Sequence, residues 1–162
     1  MSDEEGQFPL TSLNSWERSV VLAELARPNV RGWYRNPSRA AVDSLGIAYR
    51  DDDTGNWRSM HPDFVFFHEV GGEIVASIAD PHGHHLDDAG MKLRALAAFA
   101  GEYGDAFHRI EALAEIDGRM KVIDMKIAQV REAVLHGKDS PVDVHRSNIS
   151  VEYDPKNFHG TR

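Results

Sequence analysis

Asp63 and Asp80 are the two residues of this chain best spaced for joint chemistry. They flank the run FVFFHEVGGEIVASIA, where Gly71-Gly72 can adopt the positive φ angles that both central residues of a type I′ turn require. A two-residue turn there sets the pairing: residue 70 faces 73, 69 faces 74, Val65 faces Ile78 and Asp63 faces Asp80. Directly opposed side chains share a face, with Cβ atoms roughly 4.5–5.5 Å apart. Side chains alternate along a strand, so His82 joins that face if strand geometry carries past Pro81. An otherwise apolar face of Val65, Phe67, Ile74, Ala76 and Ile78 would thus end in two carboxylates and an imidazole. Opposed like charges are destabilising, so the arrangement calls for a divalent cation or a shared proton. Carboxylate oxygens are hard ligands suited to Mg²⁺ or Mn²⁺, and such an ion lowers the pKa of bound water and neutralises charge developing at phosphorus. A basic residue beside it can orient the water, and His82 is spaced for that task.

Other residue sets invite chemistry too. Arg31, Arg35 and Arg39 recur every four residues among Trp33, Tyr34 and Asn36, with Gly32 and Pro37 arguing against a continuous helix. Arginines beside exposed aromatics can grip a phosphate backbone; the plainer reading is an aromatic-anchored loop with solvated arginines. Glu17 and Glu24, seven residues apart, share a helix face, where solvated acids are the ordinary outcome. DPHGHH crowds His82, His84 and His85 among Asp80, Asp87 and Asp88, a set that suits zinc or nickel, although adjacent histidines on a strand point to opposite faces. Asp51, Asp52 and Asp53 lack the later spacing of a calcium-binding loop and read as a solvated turn. His68, beside Phe64 and Phe66, reads as a structural histidine, Asp124 as a helix cap, and Trp16, Trp33 and Trp57 as packing anchors.

The elements that must position these residues follow from local signals. Asn14 with Glu17 forms a capping-box pattern, so a helix begins at Asn14 or Ser15, with Trp16, Val20, Leu22, Leu25 and Ala26 as its apolar stripe and Pro28 as its stop. A short helix is expected over 39–44, strands over 46–50 and 57–60, then the hairpin over 62–83. The helix after it carries Asp87 and Asp88 in its first turn and ends near Gly101 and Gly104. Strands over 107–116 and 119–125 join at Asp117-Gly118, a helix spans 127–135, and a strand 149–153 interrupts a turn-like tail. The expected fold class is α/β (α+β): a mixed sheet of about five strands flanked by helices, in the order α-βββ-α-ββ-α. Residues 1–13 read as a flexible segment, 14–136 as the domain and 137–162 as an extension.

At 162 residues the chain suffices for one domain. It has no cysteine, which excludes disulfides, thiolate zinc sites and cysteine nucleophiles. No apolar run approaches the roughly 18 residues of a membrane span, and MSDEEG has no feature of a signal peptide, so a cytoplasmic protein is expected. A net charge of -8 argues against nucleic-acid binding by bulk electrostatics and leaves room for a local basic patch.

Pro62-Asp63 and Asp80-Pro81-His82, in this order on a hairpin between two helices, resemble the PD-(D/E)xK nuclease superfamily, whose core runs helix, three strands, helix, strand. The context WYRNPSR, then PDF, a hairpin and a long helix is similar to the nuclease-type domain at the C-terminal end of type III restriction subunits and related DEAD/DEAH-box helicases, over roughly residues 14–135. The resemblance implies a restriction-endonuclease-like core and Mg²⁺- or Mn²⁺-dependent cleavage of DNA. It further implies Asp63 and Asp80, together with Glu17 as an additional acid on the first helix, as metal ligands and catalytic residues, and Arg31, Arg35 and Arg39 as backbone contacts. The motif lysine is replaced by His82, and Lys92 on the following helix is the residue that could supply it. The implied partners are DNA and a helicase, translocase or modification subunit, with a homodimer also compatible. The alternatives are a catalytically silent nuclease-like module and a His/Asp transition-metal protein.

Overall fold

The computed structural model describes residues 8–81, 88–137 and 140–153. Helix α1, Ser15–Leu25, starts where the Asn14 side chain accepts hydrogen bonds from the Trp16 and Glu17 amides while the Glu17 carboxylate accepts from the Asn14 amide, a complete capping box. The helix buries Glu17, Val20, Val21 and Glu24, and Leu22 and Leu25 are exposed. This corrects the expected stripe: 17, 20, 21 and 24 follow the i, i+3, i+4, i+7 spacing of one face, and the two glutamates on it are retained by ion pairs.

Val30–Arg35 forms β1, the edge strand of the main sheet, where a loop was the plain expectation. The strand absorbs Gly32 through a register shift between Val30 and Gly32, the place a bulge puts a glycine. No helix forms over 39–44. The Asn36 side chain instead bonds the Leu45 amide and the Leu45 and Pro62 carbonyls, which ties that stretch down as a turn. Strands β2, Ile47–Arg50, and β3, Trp57–Met60, make a separate two-stranded sheet, on which Trp57 is exposed and so anchors nothing.

Strands β4, Phe64–Val70, and β5, Glu73–Pro81, pair in the expected register, Val70 to Glu73, Glu69 to Ile74 and Val65 to Ile78. Gly71 and Gly72 take φ of 63° and 86° at the turn. Helix α2, Ala89–Tyr103, then crosses over to β6, Arg109–Ile116, which lies parallel to β5. Strand β7, Arg119–Asp124, returns through a turn with Asp117 and Gly118 at positive φ. Helices α3, Ala128–His136, and α4, Pro141–Arg146, and the short strand β8, Val151–Glu152, complete the order. The α4 segment falls in the stretch expected to be turn-like; Ser140 caps it and Pro141 opens it.

Among the described residues the main sheet therefore has six strands, β1-β4-β5-β6-β7-β8, against the about five expected, and the class is α+β with helices around a mixed sheet. One face packs Ile78, Ile110 and Ile123 against Leu93, Leu96 and Val130; the other packs Phe64, Phe66, Leu113 and Val122 against Val20 and Val21. Of the expected apolar hairpin face, Val65 and Ile78 are buried, whereas Phe67 and Ile74 near the turn are 37% and 59% exposed, because the turn end lacks helical cover. Residues at both ends of the chain contribute: Phe8 packs edge-on to Trp33, and Val144 and His145 are buried. Among the described residues no helix is long and apolar enough to cross a membrane.

Candidate active site

Asp80 stands near the end of β5, and Asp63 immediately precedes β4. Extending the hairpin register by one pair sets them side by side, and the Asp63 amide donates to Asp80 Oδ1 at 3.0 Å. Arg35 ends β1 opposite Phe64, and its guanidinium lies 4.8 Å from the centre of that ring. From there Nη1 reaches Asp63 Oδ1 at 2.5 Å and the Asp63 carbonyl at 3.0 Å, while Nη2 reaches Glu17 Oε1 at 2.5 Å. Glu17 is held from both sides, since its Oε2 accepts from the Asn14 amide. Arg35 thus joins Glu17 of α1 to Asp63 in the lead-in to β4, and Asp80 at the end of β5 holds the Asp63 amide. Burial first, then the neighbouring Asp80, lifts the Asp63 pKa to about 6, with Arg35 opposing and Glu17 adding to the rise.

The remaining candidates disperse. Lys92 pairs with Asp88 one turn earlier on α2, at 2.9 Å. Arg31 sits four residues from Arg35 on β1, about 13 Å along a strand, and its Nε binds Glu69 Oε2 at 2.7 Å. Arg39 is exposed beyond Pro37. His82, with His84, His85 and Asp87, lies outside the described residues. Among the described residues no three His, Asp or Glu side chains are arranged to share one metal ion. Asp63 and Asp80 remain a two-carboxylate donor set.

A second polar cluster lies towards the other end of β4 and was not singled out by sequence reasoning. Arg109 Nη2 is 2.5 Å from Glu24 Oε2 and 3.3 Å from His68 Nε2, and its Nη1 is 3.1 Å from Glu111 Oε2. Glu24 also takes the Tyr153 hydroxyl at 2.5 Å and Arg27 Nε at 3.0 Å. Burial alone would raise the Glu24 pKa; Arg109, Tyr153 and Arg27 outweigh it and hold the carboxyl below its ordinary value. Burial lifts Glu111 to about 7, with Arg109 opposing and Glu24 and Asp124 adding to the rise. His68 falls to about 4 through burial and the Arg109 charge, and His108 is lowered for the same two reasons. The signal for this cluster was present in FHRIEAL: Arg109 and Glu111 alternate onto one face of a core strand, the face that carries His68 and, on α1, Glu24.

The YagJ family model matches residues 1–154. Protein YagJ of Escherichia coli (strain K12) is 42% identical over 153 residues, covering 94% of this chain and 61% of that protein, so the chain spans less than two thirds of that relative's length. No solved structure matches.

Proposed function

The chain belongs to the YagJ family, and for it we propose metal-dependent hydrolysis of DNA phosphodiester bonds, of the PD-(D/E)xK type that its motifs resemble. The observation that carries the proposal is the meeting of Asp63 and Asp80 beside Glu17 and Arg35 at one end of the sheet, with Asp63 raised to about 6. Support comes also from the order of the elements on the main sheet, helix α1, strands β1, β4 and β5, helix α2 and then the parallel strand β6, with β2 and β3 of the second sheet inserted between β1 and β4.

Mg²⁺ and Mn²⁺ commonly bind through one or two carboxylates and leave other positions to water and phosphate oxygens, so Asp63 and Asp80 fit as the donors. When bound, the ion would activate water and neutralise charge at phosphorus. In this reading Asp63 and Asp80 hold the metal, and Glu17 assists by fixing Arg35. Arg35, bonded to Glu17 and Asp63, offsets the repulsion between those acids, and its guanidinium would suit a phosphate oxygen. His82 or Lys92 orients the water, and Arg31 and Arg39 hold the backbone. Purified protein with Mg²⁺ or Mn²⁺ is expected to nick DNA, and Asp63→Ala and Asp80→Ala to abolish nicking. Cleavage that survives both substitutions sinks the assignment.

A second reading has its own observation: Arg35 already bonds Glu17 and Asp63, the neutralisation a metal would otherwise supply. On this reading the domain is a silent module that docks DNA, or a helicase, translocase or modification subunit. Calorimetry without Mg²⁺ or Mn²⁺ binding, together with a DNA gel shift, selects it over the enzyme.

A further inference from the structure

We propose that the cavity between the C-terminal end of α1, β4 and the start of β6 binds a small tetrahedral oxyanion of the phosphate class. The cavity measures about 150 Å³ and is lined by Arg27, Asn29, His68, Glu69, Val70, His108 and Arg109. This exceeds the room of a single water, which needs roughly 10–15 Å³ on the same kind of measure. His68 is five residues from Asp63 along β4, about 17 Å in strand geometry, so the cavity is separate from the acidic centre.

The lining selects for an anion. Two arginines, Arg27 and Arg109, line the cavity, and the planar donor fork of a guanidinium matches tetrahedral oxyanions. Glu24 neutralises about one of those charges. Burial pushes Glu111, behind Arg109, up to about 7, which favours its neutral form. At the rim Glu69 is paired with Arg31, so it adds little negative field. With Glu111 neutral, the balance of charge facing the space is positive. The Asn29 amide and the two imidazoles, whose ring centres are 5.7 Å apart, add neutral donors. Burying so many polar groups is a poor way to gain stability, since an apolar replacement of similar volume often serves as well or better. A ligand that uses the surplus charge gives the cluster a purpose.

The test is calorimetric titration of the full chain with inorganic phosphate, and with sulfate as a second tetrahedral dianion. One anion per chain is expected, with binding weakened roughly tenfold or more in Arg27→Gln and in His108→Asn. His108 is only partly buried, and its replacement leaves the Glu24–Arg109 pair in place, so this variant decides the matter if Arg27→Gln fails to fold. Histidine ring resonances of His68 and His108 should shift on titration in the parent protein. Absence of saturable phosphate and sulfate binding overturns the proposal, as do unchanged affinity in His108→Asn and acetate binding as tightly as phosphate. Competition by a 5′-phosphorylated oligonucleotide, with none from its unphosphorylated twin, assigns the oxyanion to a nucleic-acid end. Competition by neither assigns it to free phosphate or a small ester.

Discussion

Arg35 and Glu111 are the residues whose replacement is most informative. Arg35 is largely buried and joins Glu17 to Asp63, so Arg35→Met leaves two mostly buried carboxylates without their cation. Removing one partner of such a set costs about 2–4 kcal/mol, less than for full burial because Arg35 keeps some contact with solvent. If Asp63 and Asp80 form a metal site, millimolar Mg²⁺ should restore part of that loss by binding only the folded state, and more in Arg35→Met than in the parent. Urea titrations with and without Mg²⁺ measure both effects; equal Mg²⁺ responses in the two proteins would count against the metal role. Glu111 has the opposite problem, burial that favours its neutral form. Its pKa rises from 4.5 to about 7, so the folded state binds more protons than the unfolded state between those values. Its contribution to stability is fully present below about pH 4.5 and is lost as pH rises through 7. The Asp63 rise acts in the same sense up to about pH 6, while the fall of His68 to about 4 acts oppositely, adding stability as pH rises from 4 to 6.5. Comparison with Glu111→Gln cancels those shared contributions. Relative to that variant, the parent should lose up to about 3 kcal/mol between pH 4.5 and 7, at roughly 1.4 kcal/mol per pKa unit, and change little above pH 8.

At the scale of elements, α1 couples the two polar centres, since Glu17 and Glu24 are two turns apart on one buried face, about 10 Å along the axis. Its start is set by the Asn14–Glu17 box, which also aims Glu17 at Arg35. Asn14→Ala should cost about 1 kcal/mol through the lost cap, and should weaken the hold on Glu17, so the urea midpoint falls and the Asp63 titration moves with it. A drop in midpoint with an unmoved Asp63 resonance would separate the cap from the acidic centre. This helix also marks how far local signals reach. Its start was legible because Asn14 and Glu17 lie within one turn, and both hairpins were legible because Gly71-Gly72 and Asp117-Gly118 carry their turn geometry in two residues. The register that sets Asp63 beside Asp80 follows from the first of these. Its buried face was not legible: beside the local Arg27, the partners that retain Glu24 stand 85 and 129 residues away, at Arg109 and Tyr153. Strand β1 was hidden for a similar reason, since its partner β4 begins some thirty residues on and Gly32 breaks its pattern. The stretch after it lacked a helix because Asn36 bonds across to Pro62, which no local pattern announces.

For the molecule as a whole, charge limits how nucleic acid can be held. The net charge is -8, and the folded protein spends much of its basic side-chain inventory internally: Arg35 on Glu17 and Asp63, Arg109 on Glu24 and Glu111, Arg31 on Glu69, Arg58 on Asp51, Arg94 on Asp52. Of the three arginines proposed to contact a phosphate backbone, Arg39 is exposed, Arg31 would have to release Glu69 and Arg35 would have to turn from its acids. At most about three phosphates can then be neutralised by this set, and each contributes about -0.9 to the slope of log K against log salt on duplex DNA. Binding to a duplex, measured by fluorescence anisotropy between low and physiological salt, is therefore expected to show a slope no steeper than about -3. Arg39→Ala should reduce its magnitude by about 1 and weaken binding evenly across sequences. Replacing Mg²⁺ by Ca²⁺, which has the same charge and binds oxygen ligands without supporting the same geometry, separates attachment from cleavage in the same assay. A slope of -6 or steeper would require a basic surface that these arginines do not form, and would move the site of DNA contact away from the acidic centre.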